Sequence, residues 1–385
     1  MRTVCLLGAS GSIGSQTIDV MLQNPDDFKL VAFSVGDRVN KIENILVSFP
    51  EVKFICVKSE KDALKLKEQY PDVTFYNGDN GLLQLIESSE AEMVVNALVG
   101  FVGLVPTLYS LKRDKIVCLA NKEALVVGGE LVNNYLAEGH GKLYPIDSEH
   151  VALAKCLAVD DKNVDKLILT ASGGPFRYLT RELLENVTPE DALKHPTWKM
   201  GDKITIDCAT MMNKCFEVIE AHYLFGFSYP RILIQLHDES MIHSMVLYRD
   251  KMYRLDHGKP DMRVPIKWAL YEGITEYQTI YTDDFRKVGP KYHFRDFSLD
   301  RYPVVDWARY VIDRKGTYGA CLNAANEIAV KAFLAHSIPF LAIETIVAKC
   351  MRQHQNIEHP TIEQIIDADY QTRLKAVELI EKGGF

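Results

Sequence analysis

The chain has 385 residues, which exceeds the size of a single hydrophobic core and predicts two or three domains. Its hydrophobic content of 47% and charged content of 25% are those of an ordinary soluble globular protein. A net charge of −8 without any basic block argues against nucleic acid as a partner, so an anionic substrate would need a local cationic pocket.

The first half of the chain alternates short apolar runs with helical patterns, which is typical of parallel βαβ units. A helix is predicted over 15–22, and the predicted strands are 2–7, 30–34, 54–57, 93–97 and 116–119. This pattern indicates an N-terminal Rossmann-like parallel sheet. Such a sheet binds its ligand at the carboxyl ends of its strands.

A glycine-rich turn follows the first predicted strand. Residues 8–14 read GASGSIG and lead into the first helix. The glycines permit a tight turn and close approach of the backbone, and the helix N-terminus supplies N–H groups for a pyrophosphate. The alternative is that these glycines form a purely structural turn. The position of residues 8–14 between a strand and a helix favours a dinucleotide site.

The end of the second strand bears on the choice between NAD and NADP. An acidic residue there binds a ribose hydroxyl, whereas a cation accepts the 2′-phosphate of NADP. The chain carries Gly36, Asp37 and Arg38 at this point. Arg38 can bind phosphate through its guanidinium, and Asp37 would oppose it if it pointed inward. We favour NADP, and the alternative is a solvated turn with two opposite charges.

The character of the chain changes after residue 147. A strand running into a glycine turn is predicted over 170–176, followed by a polar, proline-interrupted loop to about residue 201 that resembles a lid. Further strands are predicted over 231–236 and 244–248. Helical spacing of apolar residues from 306 to the end predicts a helical bundle.

Two acidic segments predict a metal site. Asp147 and Glu149 flank Ser148 after a predicted strand, and residues i and i+2 of a strand share a face. Within 205–221, read as helical, Asn213 and Glu217 share a face at i and i+4. Three carboxylates form an all-oxygen site that suits Mg²⁺ or Mn²⁺. The alternative is that Asp147 and Glu149 cap the following helix.

Polar residues also follow the strand predicted over 116–119. Lys122 could reach a phosphate or carbonyl oxygen at this edge of the sheet, and Asn121 could instead cap a helix. In the predicted lid, an exposed Trp198 or Met200 would be costly unless it covered a ligand. His195 in this loop could contact a ligand, and the alternative is that it is an ordinary loop histidine. His243 is more simply explained as a core histidine than as a catalytic one.

Together these segments resemble one enzyme family over nearly the whole chain. The matching stretches, in order from residue 7 to residue 334, are LGASGSIGSQT, NALVGFVGLVPTL, LANKEALV, IDSEH, LTASGGPFR, HPTWKMGDKITID, ATMMNK, EVIEAH, IHSMV, PDMRVPI and LNAANEIAVKAFL. The combination of IDSEH with ATMMNK resembles the 1-deoxy-D-xylulose 5-phosphate reductoisomerase family, whose enzymes use NADPH and a divalent metal.

The resemblance implies roles for particular residues. Cofactor contacts, with Arg38 added from the strand-end argument, are expected at Ser10, Gly11, Ser12, Ile13, Gly36, Arg38, Asn121, Glu123, Met200 and Gly201. Metal ligands are expected at Asp147, Glu149 and Glu217. Substrate contacts are expected at Lys122, Ser148, Glu149, Ser172, His195, Trp198, Cys208, Asn213, Lys214 and Glu217. Catalytic roles are expected for Lys214, Glu149 and His195.

The chain departs from the family pattern at four places. Asp37-Arg38 replaces a basic residue followed by Asn, Cys208 replaces a phosphate-contacting Ser, Cys215-Phe216 replaces Gly-Leu, and 255–257 differs from the usual Gln-Leu pattern. A thiol is a weaker donor than a hydroxyl, so Cys208 predicts looser binding of phosphate with activity retained.

The reaction that the resemblance implies has two stages. A metal-assisted rearrangement of the ketose phosphate yields an aldehyde, which NADPH reduces to 2-C-methyl-D-erythritol 4-phosphate, with Mg²⁺, Mn²⁺ or Co²⁺ as the ion.

The chain is expected to have four parts. We expect an NADPH-binding domain over 1–146, a central α+β catalytic domain over 147–275, a linker over 276–300 and a helical domain over 301–385. The alternatives are a semialdehyde or homoserine dehydrogenase that shares only the first domain, and a dinucleotide-binding regulator that has lost catalysis.

The eight cysteines lack a CxxC pair, which favours reduced thiols over a zinc ribbon or a disulfide framework. The N-terminus has no signal-peptide pattern, and no apolar run approaches the length of a membrane span. We therefore expect a cytoplasmic protein that contacts neither membrane nor nucleic acid. The resemblance adds the expectation of a homodimer.

Overall fold

The computed structural model describes residues 1–198, 200–274 and 292–385. Its N-terminal part is a seven-stranded sheet in which every neighbouring pair is parallel. The strands are Arg2–Leu7 (β1), Phe28–Ser34 (β2), Phe54–Val57 (β3), Thr74–Asn77 (β4), Met93–Asn96 (β5), Ile116–Leu119 (β6) and Lys142–Pro145 (β7). The order β4-β3-β2-β1-β5-β6-β7 reverses direction at β1, which places a ligand crevice beyond the carboxyl ends of β1 and β5.

Helices cover both faces of this sheet. They are Ser12–Gln23 (α1), Ile42–Ser48 (α2), Glu60–Gln69 (α3), Gly78–Ser88 (α4), Leu104–Leu111 (α5) and Glu123–Ala137 (α6). Successive residues of β1 point to opposite faces. Val4 and Leu6 therefore pack into one apolar cluster, and Cys5 and Leu7 into another. Burial on both faces explains why β1 is a continuous apolar run.

The central part is a five-stranded mixed sheet with helices around it. Its elements are Ser148–Leu157 (α7), Val164–Ala171 (β8), Pro189–Ala192 (α8), Asp202–Thr210 (α9), Met212–Phe225 (α10), Ile232–His237 (β9), Ile242–Tyr248 (β10), Tyr253–His257 (β11), Arg263–Leu270 (α11) and Phe294–Arg295 (β12). The order is β11-β10-β8-β9-β12, with β8 and β9 parallel and the other pairs antiparallel. Ile266 and Leu270 of α11 pack into the same cluster as Val4 and Leu6 of β1, so α11 lies on the N-terminal sheet.

Four helices close the chain. They are Trp307–Arg314 (α12), Tyr318–Leu334 (α13), Ala342–Gln353 (α14) and Ile362–Glu381 (α15). Helix α13 packs against α14, α15 and α6, which joins the C-terminal helices to the N-terminal part. Short 3-10 helices occur at Val39–Lys41, Phe101–Gly103, Glu182–Asn186, Tyr229–Arg231 and Pro303–Asp306. Among the described residues, no helix has both the length and the apolar character that crossing a membrane requires.

The predicted fold class is confirmed, and the differences are local. The strands predicted over 54–57 and 116–119 match β3 and β6. The strand running into a glycine turn that was predicted over 170–176 is present, because β8 ends at Ala171 and Gly173 and Gly174 turn the chain with φ of 78° and 68°. The predicted lid loop contains α8, which begins with a capping box from Thr188.

The linker predicted over 276–300 lies mainly in 275–291, outside the described residues. Its described end contributes β12, which pairs with β9 and extends the central sheet by one strand.

Candidate active site

A cavity of about 890 Å³ opens at the carboxyl edge of the N-terminal sheet and extends to the central sheet. Eighteen of the predicted site residues line it: Gly11, Ser12, Ile13, Arg38, Lys122, Glu123, Asp147, Ser148, Glu149, Ser172, His195, Trp198, Met200, Gly201, Cys208, Asn213, Lys214 and Glu217. Ser10, Gly36 and Asn121 do not line it. The structure therefore gathers residues from the glycine turn, two acidic segments and the predicted lid around one space.

The glycine turn forms one end of the cavity. Gly8 has φ of 84°, and a Cβ there would lie 2.6 Å from the carbonyl oxygen of Ala97 in the loop after β5. A Cβ at Gly14 would lie 2.2 Å from the Gly8 carbonyl oxygen. Gly11 precedes α1 without a side-chain cap, and Gly11 and Ser12 line the cavity. This close-packed turn at a helix N-terminus fits a pyrophosphate.

The charges after β2 point in different directions. The carboxylate of Asp37 pairs with Lys58 Nζ at 3.1 Å on the surface, whereas Arg38 lines the cavity. Asp37 is therefore directed to a neighbouring cation, and it does not oppose an anion beside Arg38. This arrangement agrees with the preference for NADP.

Asn121 is buried and its side chain is fully engaged. Its amide donates to the carbonyl oxygens of Leu98 and Gly100, at 3.0 and 2.9 Å, and its Oδ1 accepts from the N–H of Ala124. The capping alternative for Asn121 is thus what the structure contains. Its contacts fix the loop after β5, whose Leu98 and Val99 form part of the cavity wall.

Three carboxylates meet on the cavity floor. Asp147, Glu149 and Glu217 each offer an oxygen, and these oxygens lie within 4.8 Å of one another. The strand-like geometry predicted for 147–149 is wrong, because α7 begins at Ser148. Asp147 is extended just before the helix, and Glu149 lies in its first turn. The side chain of Asp147 makes no capping hydrogen bond, which leaves it free to face the cavity.

Helix α10 supplies the third carboxylate from a separate part of the chain. The helical stretch predicted over 205–221 is two helices, since Met211 adopts a left-handed conformation with φ of 68° and starts α10 in a new direction. Asn213 donates from Nδ2 to Glu217 Oε1, as their spacing predicts. Asn213, Lys214 and Glu217 of this second helix line the cavity.

Two ammonium groups lie among the carboxylates. Lys122 Nζ contacts Asp147 and lies 3.2 Å from Glu217 Oε1 and 3.0 Å from Asn213 Oδ1. Lys214 Nζ contacts Glu217 and lies 3.6 Å from Glu149 Oε1. This much buried negative charge requires cations. A set of oxygen ligands suits a hard divalent ion such as Mg²⁺ or Mn²⁺, so the residues fit the implied metal.

The electrostatics of the floor shift several pKa values. Burial raises the pKa of Glu149 to about 8; the Lys214 ammonium opposes this shift, and the Glu217 and Asp147 carboxylates add to it. Burial would raise the pKa of Asp147, but Lys122 and His150 hold it well below its ordinary value. Burial would likewise lower the pKa of Lys214, but Glu217 and Glu149 raise it. Both ammonium groups therefore stay charged, since Asp147 and Glu217 similarly raise the pKa of Lys122 against its burial.

His150 and Glu220 form a second buried group that the sequence reading missed. His150 Nδ1 lies 3.3 Å from Glu220 Oε2 and 3.8 Å from Asp147 Oδ1. Burial would lower the pKa of His150, but Glu220 and Asp147 raise it to about 9. The signal was present as spacing, because His150 follows Asp147 by three residues and Glu220 follows Glu217 by three.

The predicted lid contributes a histidine in a defined tautomer. His195 Nδ1 accepts from the N–H groups of Thr197 and Trp198, at 3.3 and 3.0 Å, so the proton lies on Nε2. Nε2 is 3.2 Å from Ser172 Oγ. Burial and then the Arg177 charge lower the pKa of His195 to about 4, so the ring is neutral at pH 7. The Trp198 ring lies 6.2 Å from that of His243, which makes a hydrogen bond to Gly258.

The glycine turn after β8 packs directly on α9. A Cβ at Gly174 would lie 2.6 Å from the Cys208 carbonyl oxygen, and the N–H of Gly174 donates to Ser172 Oγ at 3.2 Å. Ser172 and Cys208 line the cavity, as do Asn213 and Lys214. Four residues that were predicted to contact the substrate therefore reach this cavity from three segments.

Comparison with known proteins agrees with this geometry. Family models match three segments: 1-deoxy-D-xylulose 5-phosphate reductoisomerase over residues 4–129, its C-terminal domain over 143–225, and the DXP reductoisomerase C-terminal domain over 257–375. A likeness confined to the first domain, as in the dehydrogenase alternative, would not extend over all three.

Relatives match along their whole length. The 1-deoxy-D-xylulose 5-phosphate reductoisomerase 2 of Bacillus thuringiensis subsp. konkukian is 44% identical over 99% of this chain and 100% of its own. The Bacillus subtilis enzyme is 45% identical over 97% of this chain and 98% of its own.

Solved structures share the fold. A crystal structure of DOX-P reductoisomerase in complex with NADPH, fosmidomycin and magnesium has a TM-score of 0.91 and 33% identity over 99% of this chain and 98% of its own. The Zymomonas mobilis enzyme in complex with NADPH has a TM-score of 0.89 and 35% identity over 99% of each chain. From these matches and the site, the chain belongs to the 1-deoxy-D-xylulose 5-phosphate reductoisomerase family.

Proposed function

We propose that this chain carries out the NADPH- and metal-dependent rearrangement and reduction of 1-deoxy-D-xylulose 5-phosphate to 2-C-methyl-D-erythritol 4-phosphate, a step of the non-mevalonate isoprenoid pathway. One observation carries the proposal. Asp147, Glu149 and Glu217, from two segments far apart in the chain, offer oxygens within 4.8 Å of one another in the cavity that also reaches the glycine turn.

Asp147, Glu149 and Glu217 are the residues that would hold Mg²⁺ or Mn²⁺. A divalent ion bound there supplies a Lewis acid for the hydroxyl and carbonyl oxygens of the ketose phosphate. Asn213 supports this role because it donates to Glu217 and orients its carboxylate. Lys122 contacts two of the three carboxylates and limits their mutual repulsion.

The glycine turn and its neighbours would bind the cofactor, which supplies the hydride. Gly11, Ser12 and Ile13 present the first turn of α1 to a pyrophosphate, with Ser10 and Gly36 shaping the adjoining backbone. Arg38 is the cation available for a 2′-phosphate. Met200 and Gly201 line the cavity near the start of α9, where we propose that they border the nicotinamide.

Lys214, Glu149 and His195 are proposed to act on the substrate. Lys214 keeps its charge among Glu217 and Glu149 and would neutralise developing negative charge on a substrate oxygen. Glu149 lines the cavity 3.6 Å from Lys214 Nζ and, as a proposed metal ligand, would act on the substrate from beside the ion. His195 is neutral with its proton on Nε2 and can donate that hydrogen bond to a substrate oxygen.

The remaining substrate contacts follow from the cavity wall. Ser172, Cys208, Asn213 and Lys214 would bind the phosphate, and Ser148 would contact a hydroxyl. Trp198, on the segment that carries His195, would cover the substrate and exclude water.

We further propose a cytoplasmic homodimer. All eight cysteines are free thiols and seven are buried, which suits a reducing compartment. Strand β11 is at the edge of the central sheet and exposes Tyr253 and Leu255, a surface that a second copy would cover. We also propose the same division into domains as the one expected from the sequence. Helix α11 belongs to the central segment of the chain and packs on the N-terminal sheet.

The test follows NADPH absorbance with 1-deoxy-D-xylulose 5-phosphate after chelation of metal, with and without added Mn²⁺. We expect no turnover without the ion and full turnover with it, and Glu217→Gln should abolish turnover while NADPH still binds. The control is Glu378→Gln, an exposed glutamate on α15. Turnover that persists in EDTA would favour a metal-free dehydrogenase, and NADPH binding without turnover under any condition would favour a regulator.

A further inference from the structure

A buried pair of side chains lies directly behind the carboxylates of the cavity floor. His150 and Glu220 are both 0% exposed. His150 is three residues after Asp147, on α7, and Glu220 is three residues after Glu217, on α10. Each of two proposed metal ligands is therefore followed, about one turn farther along the chain, by one member of this buried pair. Neither partner lines the cavity, so neither reaches substrate or cofactor.

The imidazole of His150 contacts both helices. Its Nε2 donates to the main-chain carbonyl oxygen of Glu217 at 2.9 Å. Its Nδ1 faces Glu220 at 3.3 Å and Asp147 at 3.8 Å. The ring also stacks on Phe225 of α10, with centroids 6.3 Å apart and planes 14° apart. The position of the ring is thus fixed from three sides, and the ring joins Asp147, just before α7, to the main chain of Glu217 on α10.

The carboxylate of Glu220 is buried without a hydrogen-bond partner among the described residues. Both of its carboxylate oxygens are buried and make no hydrogen bond within the described part of the chain, and the same holds for His150 Nδ1. A buried polar group without a partner costs free energy. The group that faces Glu220 at 3.3 Å is the His150 ring, so each side chain is the other's buried polar neighbour.

We propose that Glu220 and His150 are positioning residues, which hold Asp147 and Glu217 at a fixed separation so that the metal site is formed before the ion binds. This inference rests on the proposed function. Such outer partners typically change metal affinity about 10- to 100-fold when they are replaced. Glu220 makes no hydrogen bond to Asp147 or Glu217 among the described residues, and its oxygens lie 3.3 Å from His150 Nδ1 and within 4.8 Å of an oxygen of Asp147.

The test measures Mn²⁺ binding by electron paramagnetic resonance in the absence of substrate and NADPH. The wild type should bind one ion per chain. Glu220→Gln keeps the size of the side chain but replaces the carboxylate by an amide, and we expect Mn²⁺ affinity to fall about 10- to 100-fold with a broadened bound-ion spectrum. His150→Gln should act in the same direction. The double variant should be little worse than His150→Gln alone, since the two act along one path.

The matched control is Asp369→Asn, a buried carboxylate on α15 that pairs with Arg373 away from the site. It should lower the melting temperature and leave Mn²⁺ affinity unchanged, and NADPH affinity should stay unchanged in all variants. A Glu220→Gln protein that melts earlier but binds Mn²⁺ normally would overturn the inference and make the pair a packing feature.

Two further outcomes of the Mn²⁺ measurement can be distinguished from those above. Two Mn²⁺ ions per wild-type chain, with one lost in Glu220→Gln, would make the pair part of a second metal site and would also overturn the inference. A wild-type chain that binds no Mn²⁺ would refute the proposed function itself. If Glu220→Gln does not fold, His150→Gln decides the question by the same readouts.

Discussion

Lys203 Nζ lies 2.7 Å from Glu123 Oε1, which joins the start of α9, just after the predicted lid, to the first residue of α6 on the N-terminal sheet. The same ammonium lies 2.8 Å from Asp207, whose Oδ1 accepts from Asn326 of α13. The N-terminal, central and C-terminal parts therefore meet at one partly buried cation. Glu123 and Lys203 both line the cavity, so this contact shapes the wall of the proposed cofactor site.

Replacing Lys203 should weaken both the fold and cofactor binding. Lys203→Met leaves two buried carboxylates without a cation, and breaking such a pair costs about 3–5 kcal/mol. We expect a lower free energy of unfolding in urea and weaker NADPH binding by fluorescence titration. Lys203→Arg keeps the charge and should recover most of both. Wild-type values in Lys203→Met would show that the contact is incidental.

Cys208→Ser should tighten substrate binding. A hydroxyl is a better donor to phosphate than a thiol, and a typical hydrogen bond of about 0.5–1.5 kcal/mol corresponds to a KM for the sugar phosphate roughly 2- to 10-fold lower. The control is Cys215→Ser, which places a hydroxyl in the apolar core. It should lower the melting temperature without changing KM. An unchanged KM in Cys208→Ser would remove this residue from the phosphate site.

Arg38 should decide the preference for NADPH over NADH. Arg38→Ala removes the guanidinium that lines the cavity, and charged hydrogen bonds of about 1.5–3 kcal/mol predict an NADPH dissociation constant roughly 10- to 100-fold higher, with NADH unaffected. Asp37→Asn is the control, because Asp37 pairs with Lys58 on the surface and should have little effect. Equal losses for NADPH and NADH in Arg38→Ala would contradict this assignment.

His195 should stay neutral well below pH 6.5. Burial and then Arg177 lower its pKa from 6.5 to about 4 in the folded chain. The unfolded chain therefore binds this proton first, and stability is lost as the pH falls from 6.5 toward 4. Imidazole NMR should detect a neutral ring with its proton on Nε2 at pH 5. His195→Gln should remove this part of the pH dependence, whereas the exposed His336→Gln should not. A His195 resonance that titrates near 6.5 would exclude the buried neutral state.

Local features of the sequence predicted much of the site, as the helix bearing Asn213 and Glu217 illustrates. Their spacing places them on one face, and the hydrogen bond between them is present. The same reasoning was wrong for 147–149, because a helix start brings Asp147 and Glu149 together where a strand was expected. It also missed the break at Met211, since a left-handed methionine has no propensity signal.

The amino-acid sequence by itself determined the alternation of strands and helices, the glycine turn before α1 and the family, because periodicity, glycine placement and motifs are local properties of a chain. The tertiary structure alone decided that Asp37 turns to Lys58 while Arg38 faces the cavity, and that His150 and Glu220 meet behind Asp147. Those contacts join segments about 20 to 70 residues apart, and packing between elements, which no local pattern encodes, sets their distances.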